Sequence, residues 1–297
     1  MAILVDASSR ILIQGITGST GRSYAQRMIS GGTPLVAGVA PGRGGQQVAG
    51  IPVFDNTEAA VAATGANAAL TVVRSDLALD AVLESLEARI ATLVLYTENV
   101  PVHDAIRMRA YARARGARLL GPNSAGVISP GKANLADLND NNVRSGRIGV
   151  VSKSGTLTYE VLEYLQQRGY GESSIVCLGG DPVIGTTYAD VLPLFEADDE
   201  TDLVVLIGEP GGGLEYQAIA AHQHMRKPLV AYIAAQNAPP EKRMGHAGAI
   251  HGGGQQATTA AAKLAAFRAA GCEAVGRVTE VAAAVERALL APRGIAP

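Results

Sequence analysis

The sequence predicts an α/β protein of two domains, a Rossmann-like domain over residues 1–125 and a flavodoxin-like domain over 126–297. Three observations carry that expectation. Short apolar runs alternate with stretches of helical spacing along almost the whole chain, the pattern of buried parallel strands separated by helices. The length, 297 residues, suits two domains of roughly 100–200 residues each. A polar stretch rich in Asn, Asp, Gly and Pro over 129–146 interrupts the alternation midway and reads as the inter-domain segment,.

The first strand, over 10–14, is followed at once by Gly15-Ile16-Thr17-Gly18-Ser19-Thr20-Gly21. Helical spacing runs over 22–29 and closes at Gly31-Gly32, and Leu35-Val36-Ala37-Gly38-Val39 is the next strand. Helices over 57–64, 77–88 and 103–115 then alternate with strands over 68–73, 92–96 and 118–120. The glycine turn reads G-x-x-G-x-x-G rather than the dinucleotide fingerprint G-x-G-x-x-G, but its physical use is the same. Backbone N–H groups at a helix N-terminus bind a phosphate or pyrophosphate. A tight turn with no ligand is the competing reading. The second strand leads into Ala40-Pro41-Gly42-Arg43 without the acid that holds the ribose diol of NAD,. Arg43 instead offers a guanidinium suited to a phosphorylated ribose, which leaves NADP or coenzyme A.

Gly121-Pro122-Asn123-Ser124-Ala125-Gly126 closes the first domain with turn residues. Beyond it, Asp137, Asp140, Asn141 and Asn142 resemble a cation site, but their spacing fits no EF-hand loop and they read as solvated. A second α/β series opens with a strand over 147–151, the turn Ser152-Lys153-Ser154-Gly155-Thr156 and a helix over 157–168. Ser154, Gly155 and Thr156 form a second helix N-terminus ready for an anion, with plain N-capping by Ser154 or Thr156 as the alternative. Strands over 174–178, 202–207, 229–233 and 272–275 alternate with helices over 188–197, 216–224, 258–270 and 278–290. Loops beyond the carboxyl ends of such strands gather on one edge, where ligands bind. That edge would bring together Ser154-Gly155-Thr156, Glu209 and the loop containing His246.

The histidine loop, Arg243-Met244-Gly245-His246-Ala247-Gly248-Ala249-Ile250, precedes a second glycine run, Gly252-Gly253-Gly254. It fits neither strand nor amphipathic helix. A flexible loop with an incidental histidine is one reading. The other is an imidazole that carries a phosphoryl group, a form of nucleophilic catalysis. That chemistry needs a carboxylate to orient the ring, donors for the phosphate oxygens and slack backbone. Glu209, the helix start at Ser154-Gly155 and the glycines supply them. His103, His222 and His224 fall on helices and read as surface residues. His251 is a candidate for a supporting place beside the site.

A formal net charge of −2 without basic runs argues against nucleic acid, and 4% aromatics with no Trp argue against a base-stacking platform,. No apolar run approaches the ~20 residues that span a bilayer, and the N-terminus lacks the features of a signal peptide. The two cysteines, Cys177 and Cys272, stand apart without metal spacing and read as buried thiols,. A soluble, cytoplasmic protein is expected.

The motifs resemble a specific family. Gly15 to Gly21, Gly38-Val39-Ala40-Pro41-Gly42-Arg43-Gly44-Gly45 and Gly121-Pro122-Asn123 resemble the CoA-binding half of the succinyl-CoA synthetase α subunit. Ser154-Gly155-Thr156-Leu157-Thr158-Tyr159-Glu160, Gly179-Gly180-Asp181-Pro182 and Lys242 to Ile250 resemble its ligase half. The order is kept over nearly the whole chain. The resemblance implies a ligase of the tricarboxylic acid cycle type, joining succinate or a related small carboxylic acid to coenzyme A. ATP or GTP would drive the reaction through a phosphohistidine and an acyl phosphate. It implies that His246 is phosphorylated with Glu209 as its carboxylate partner, that Thr17, Gly18, Ser19, Thr20, Arg43, Tyr96, Thr97 and Glu98 hold CoA, and that Tyr159 contacts the acid. The nucleotide and its Mg2+ would be bound mainly by a β subunit with an ATP-grasp domain, in an αβ or α2β2 heteromer.

The chain also departs from the family pattern. Val73-Arg74-Ser75-Asp76 replaces a proline-rich turn, Ser124-Ala125 stands where Cys-Pro is common, and Glu209-Pro210 stands where Glu-Ile is usual. Asn134-Leu135-Ala136-Asp137-Leu138-Asn139 occupies the place of the GIMPG segment beside the acyl site. These changes leave the phosphohistidine machinery intact and imply an altered choice of acid. Two other readings compete: a non-catalytic CoA-binding regulator, and an NADP-dependent oxidoreductase, which would leave the histidine loop without a role.

Overall fold

A computed structural model describes residues 2–237, 246, 248–249 and 256–291. The first half builds a seven-stranded sheet from β1 (Ile11–Gln14), β2 (Leu35–Val39), β3 (Gln47–Val48), β4 (Ile51–Phe54), β5 (Ala68–Thr71), β6 (Thr92–Leu95) and β7 (Arg118–Leu120). Its order is β3-β4-β2-β1-β5-β6-β7, parallel throughout except for the short β3. The helices α1 (Ser19–Ser30), α2 (Thr57–Thr64), α3 (Ala78–Glu87) and α4 (Val102–Ala114) connect the parallel strands. Every residue of β1, β5 and β6 is buried, as a sheet covered on both faces requires,. Without β3 the order is that of a Rossmann sheet, with its reversal between β1 and β5.

The second sheet, also seven-stranded, has the order β14-β13-β12-β10-β11-β8-β9. Its parallel strands are β10 (Ser145–Ser152), β11 (Glu172–Cys177), β12 (Leu203–Gly208), β13 (Leu229–Ile233) and β14 (Glu273–Val275). They are linked by α5 (Gly155–Gln167), α6 (Tyr188–Ala197), α7 (Leu214–His222) and α8 (Ala260–Ala269), and α9 (Val281–Leu290) follows β14. This is the flavodoxin order, with the reversal between β10 and β12. Helix packing is close enough to require glycine in the strand: a Cβ at Gly149 would lie 2.6 Å from the Phe195 ring of α6.

The two sheets share one continuous core. Ile13, Ile16 and Tyr24 of the first half pack in the same cluster as Leu135, Leu178 and Tyr188 of the second. The N-terminal segment ties them together: the Thr92 hydroxyl donates to the Leu4 carbonyl at 3.1 Å and the Ser129 hydroxyl to the Val5 carbonyl at 2.7 Å. No helix among the described residues is long and apolar enough to cross a membrane.

One expectation needs correcting. The polar stretch 129–146 is no unstructured inter-domain loop: β8 (Gly126–Ser129) and β9 (Ala133–Ala136) form an antiparallel hairpin in the second sheet, buried along its length. A short helical turn over Asp140–Asn142 follows it. Polarity misleads here because each buried polar group meets a partner. The Asn134 side chain donates to the Leu138 carbonyl at 2.9 Å and accepts from the Ala136 N–H at 2.8 Å. Asp137, partly exposed just after β9, is nonetheless engaged, since Tyr24 donates to it at 3.0 Å. The strands β3 and β4 also escape the sequence reading, because Pro52 and the glycines around them carry turn signals.

Gly126 tests the hairpin. Its φ is +98° and a Cβ would sit 2.0 Å from the Leu135 carbonyl oxygen, whereas Gly131, at φ +73°, has ordinary space around it. Gly126→Ala should lose at least about 3 kcal/mol in chemical denaturation, and Gly131→Ala only about 1–2 kcal/mol, the cost of left-handed backbone alone.

Candidate functional site

The site lies where the reversal points of the two sheets face each other. In the first sheet the chain leaves β1 through Gly15, at φ +83°, where a Cβ would meet the Val72 carbonyl oxygen at 2.5 Å. Gly21 has the same necessity, since a Cβ there would come within 2.3 Å of the Gly15 carbonyl oxygen. These close approaches seat α1 directly over the turn. Helix α1 starts at Ser19, earlier than its apolar spacing suggests, and its N-cap, Gly18, provides no side-chain acceptor. Its first N–H groups are thus left for a ligand.

Thr17, Gly18 and Arg43 line a cavity of about 630 Å³ at that turn. A neighbouring cavity of about 610 Å³ is lined by Thr20, Tyr96, Thr97, Glu98, Gly155, Thr156, Tyr159 and His246. Val72, Val73 and Arg74 wall both cavities, so the two run side by side along the loop after β5. The Thr97 hydroxyl donates to the Val73 carbonyl at 2.6 Å, which fixes that partition. Ser19 is exposed at the helix start and lines neither cavity.

On the ligase side, Ser154 is the N-cap of α5: its hydroxyl accepts from the Leu157 N–H at 3.3 Å, and its own N–H donates to the Ser152 hydroxyl at 3.0 Å. Ser154 is therefore engaged in building the turn, and Gly155 and Thr156 are the residues that reach the cavity. Tyr159, one turn further along α5, donates its hydroxyl to the Asp137 carbonyl at 3.0 Å.

At the inner end, Glu209 follows β12 and lies directly across the sheet reversal from Lys153 at the end of β10. One carboxylate oxygen, Oε2, accepts from His246 Nδ1 at 2.7 Å. The other, Oε1, is 2.9 Å from Lys153 Nζ, with both of those side chains under 10% exposed. Burial pushes the Glu209 carboxyl up, but the hydrogen bond from His246 and the Lys153 charge outweigh it and leave it below its ordinary value. The same hydrogen bond raises His246 above the ordinary histidine value, against the opposing effects of burial and Lys153. Glu209 thus adds stability that is lost as pH falls through its lowered value. His246 adds stability that is lost as pH rises through its raised value. The pair holds best between the two.

Deeper supports fix this geometry. Lys263 of α8, fully buried and ion-paired with Glu215 of α7, donates to the Glu209 carbonyl at 2.8 Å. The loop after β11 lies against the imidazole: a Cβ at Gly180 would be 3.1 Å from His246 Cδ2, and the Gly248 N–H donates to the Gly180 carbonyl at 2.9 Å. Arg243, Met244, Gly245, Ala247, Ile250, His251 and Gly252 to Gly254 lie outside the described residues. Among the other histidines, His103 and His224 are exposed, as expected. His222 departs from the surface reading, because the end of α7 packs it half-buried and burial lowers its value. Cys177 and Cys272 are buried free thiols, their values pushed by burial up to about 12 and about 11.

The sequence reading missed Lys153. The signal was present, a lysine directly after the buried run from Ile148 to Ser152, but its partner stands 56 positions away (209 minus 153). Replacing Lys153 with Met keeps the volume and removes the charge. Lys153→Met should raise the titration of the His246 imidazole further, followed by NMR, and cost about 3 kcal/mol of stability through the broken buried pair.

The CoA binding domain family matches residues 6–99 and the family described as CoA-ligase matches 151–272. Succinate–CoA ligase [ADP-forming] subunit alpha 1 of Archaeoglobus fulgidus is 46% identical over 97% of this chain and 99% of its own. The subunit alpha of Staphylococcus epidermidis is 41% identical over 95% and 93%. Among solved structures, a mutant ATP citrate lyase of Methanosaeta concilii in complex with (3S)-citryl-CoA superposes with a TM-score of 0.87 at 24% identity, covering 99% of this chain and 52% of that one. The dinucleotide forming acetyl-coenzyme A synthetase 1 of Ca. Korarchaeum cryptofilum, in complex with phosphate and ADP, gives 0.75 at 20% identity over 92% and 59%. This chain therefore spans about half the length of these two solved chains, and at such identities the likeness is one of fold.

Proposed function

We propose that this chain, which belongs to the family of succinate–CoA ligase [ADP-forming] α subunits, carries the phosphohistidine step of an acid–CoA ligase at His246. The observation that carries the reading is the hydrogen bond from His246 Nδ1 to the buried Glu209. An ionised Glu209 holds the proton on Nδ1, so the Nε2 lone pair is the nucleophile. The imidazolium-like charge that develops on phosphorylation is stabilised by the same carboxylate. Gly155 and Thr156, at the start of α5, supply N–H donors for the phosphoryl oxygens.

Nε2 attacks the γ-phosphorus of a nucleoside triphosphate and the diphosphate leaves. A carboxylate oxygen of the acid then takes the phosphoryl group, forming an acyl phosphate and restoring the imidazole. The CoA sulfur attacks the acyl carbon and inorganic phosphate leaves. Coenzyme A fits the paired cavities: Arg43 and the start of α1 at Thr17, Gly18, Ser19 and Thr20 meet its phosphates, and its thiol arm passes Val72 to Arg74 toward Tyr96, Thr97 and Glu98. Tyr159 closes the acid's end. Nucleotide and Mg2+ are assigned to a β subunit with an ATP-grasp domain, in an αβ or α2β2 assembly. The domain division, 1–125 for CoA and 126–297 for the ligase chemistry, falls between the end of β7 and the start of β8. Such a reaction belongs in the cytoplasm, beside the tricarboxylic acid cycle.

Incubation with the β partner and γ-labelled ATP or GTP tests this. Acid-labile, base-stable label should appear on the wild-type chain and vanish in His246→Ala, and an unlabelled wild type would sink the reading. Glu209→Gln should slow labelling by about 10²-fold. Labelling should rise with pH through a value above the ordinary ~6.5 of histidine, because the raised imidazole must lose its Nε2 proton first,.

A further inference from the structure

Lys153 directly precedes Ser154, the N-cap of α5, and lines the same cavity as Gly155, Thr156 and His246. Its side chain is only 4% exposed. An ammonium carries three N–H donors. Among the described residues Lys153 Nζ has a single partner, Oε1 of Glu209 at 2.9 Å. Two donors are left over in a wall that water barely reaches, and buried donors ordinarily meet an acceptor. The other lysine or arginine lining this cavity among the described residues, Arg74, is 77% exposed and paired with Asp76.

Charge balance points the same way. While the imidazole is neutral, Lys153 and Glu209 cancel. Once Nε2 is phosphorylated and Nδ1 keeps its proton, the ring is a cation as well, 2.7 Å from Glu209 Oε2. Two cations then share one carboxylate, in the cavity that takes a phosphoryl dianion. The pairing with Glu209 therefore does not use up the lysine. A positive charge is in surplus in the very state in which the phosphoryl group is present.

We propose that Lys153 is a catalytic residue of the phosphoryl-transfer step, donating to an oxygen of the phosphoryl group at His246 while it keeps Glu209 in place. The inference rests on the phosphohistidine reading of the proposed function. As the Nε2–P bond forms and the bond to the leaving diphosphate breaks, the phosphoryl oxygens carry the charge of the group in transit. A buried ammonium meets that charge beside the N–H groups of α5, and it needs no rearrangement to do so.

The test is the half-reaction alone: the α chain with its β partner and γ-labelled nucleotide, without acid or CoA. Rates are compared on the high-pH plateau of each variant, so that the imidazole is neutral throughout. Lys153→Met should label about 10²-fold more slowly than wild type, the usual loss of one preorganised donor to a transition state. Lys153→Arg keeps charge and donors and should recover most of the rate. Because Met leaves Glu209 without its counter-charge, the comparison is repeated in Glu209→Gln, where no buried charge is stranded. There Lys153→Met should still slow labelling by about tenfold or more. In the phosphorylated chain, phosphorus NMR should show the phosphoryl group titrating at higher pH in Lys153→Met than in wild type, a shift that a merely structural lysine does not cause. Labelling that Lys153→Met leaves unchanged overturns the proposal. So does an effect that disappears in Glu209→Gln, since the lysine then acts only through the carboxylate. A raised KM for the acid with labelling untouched overturns it too, and assigns the ammonium to the acid's carboxylate. An unlabelled wild type means instead that the phosphohistidine reading itself has failed.

Discussion

Everything at the centre of this molecule depends on one buried carboxylate. Glu209 lies between a lysine and a histidine, and it remains ionised in an apolar setting only because both are there. A buried carboxylate without such partners takes up a proton and ceases to orient an imidazole. The arrangement places opposite charge on both oxygens, so neither partner is free to leave without cost. The imidazole, at the cavity wall, is the most exposed member of the trio, 28% against 9% for Glu209 and 4% for Lys153.

The fold exists in a form that makes the trio possible. Lys153 and Glu209 end neighbouring strands, β10 and β12, on either side of the reversal in strand order, where no helix crosses above the sheet edge,. The first sheet brings its own reversal point to the same crevice, so the glycine turn before α1 and the start of α5 border adjoining cavities. A shared core and the N-terminal tie between Leu4, Val5, Thr92 and Ser129 hold the halves in that register. Two helix N-termini and a positioned imidazole thus border adjoining cavities, an arrangement of the kind the proposed transfer of phosphoryl and acyl groups needs.

Local pattern made much of this legible. Strongly apolar parallel strands and the glycine turns announce themselves, because burial on both faces excludes polar residues and close backbone contact excludes side chains. Glu209 and His246 were recognisable as a pair from their positions after successive strands. The hairpin over 126–136 was not, since Ser129 and Asn134 are polar and buried, and only their distant partners explain that. Ser154 caps its own helix, one of the two roles its position allows, and spacing by itself does not choose between a cap and a phosphate ligand.

The sequence by itself determined the two α/β halves, the alternation of their central parallel strands with helices, the family and the candidate nucleophile. These follow from periodicity, glycine placement and short motifs, all of which act over a few neighbouring residues. Tertiary structure alone decided that Lys153 neutralises Glu209, that Lys263 and Glu215 brace it from behind, and that Asp137 pairs with Tyr24 and Arg27 of α1. Those are electrostatic relations between residues far apart in the chain. Their sign and strength depend on distance and burial, which exist only once the two sheets have packed.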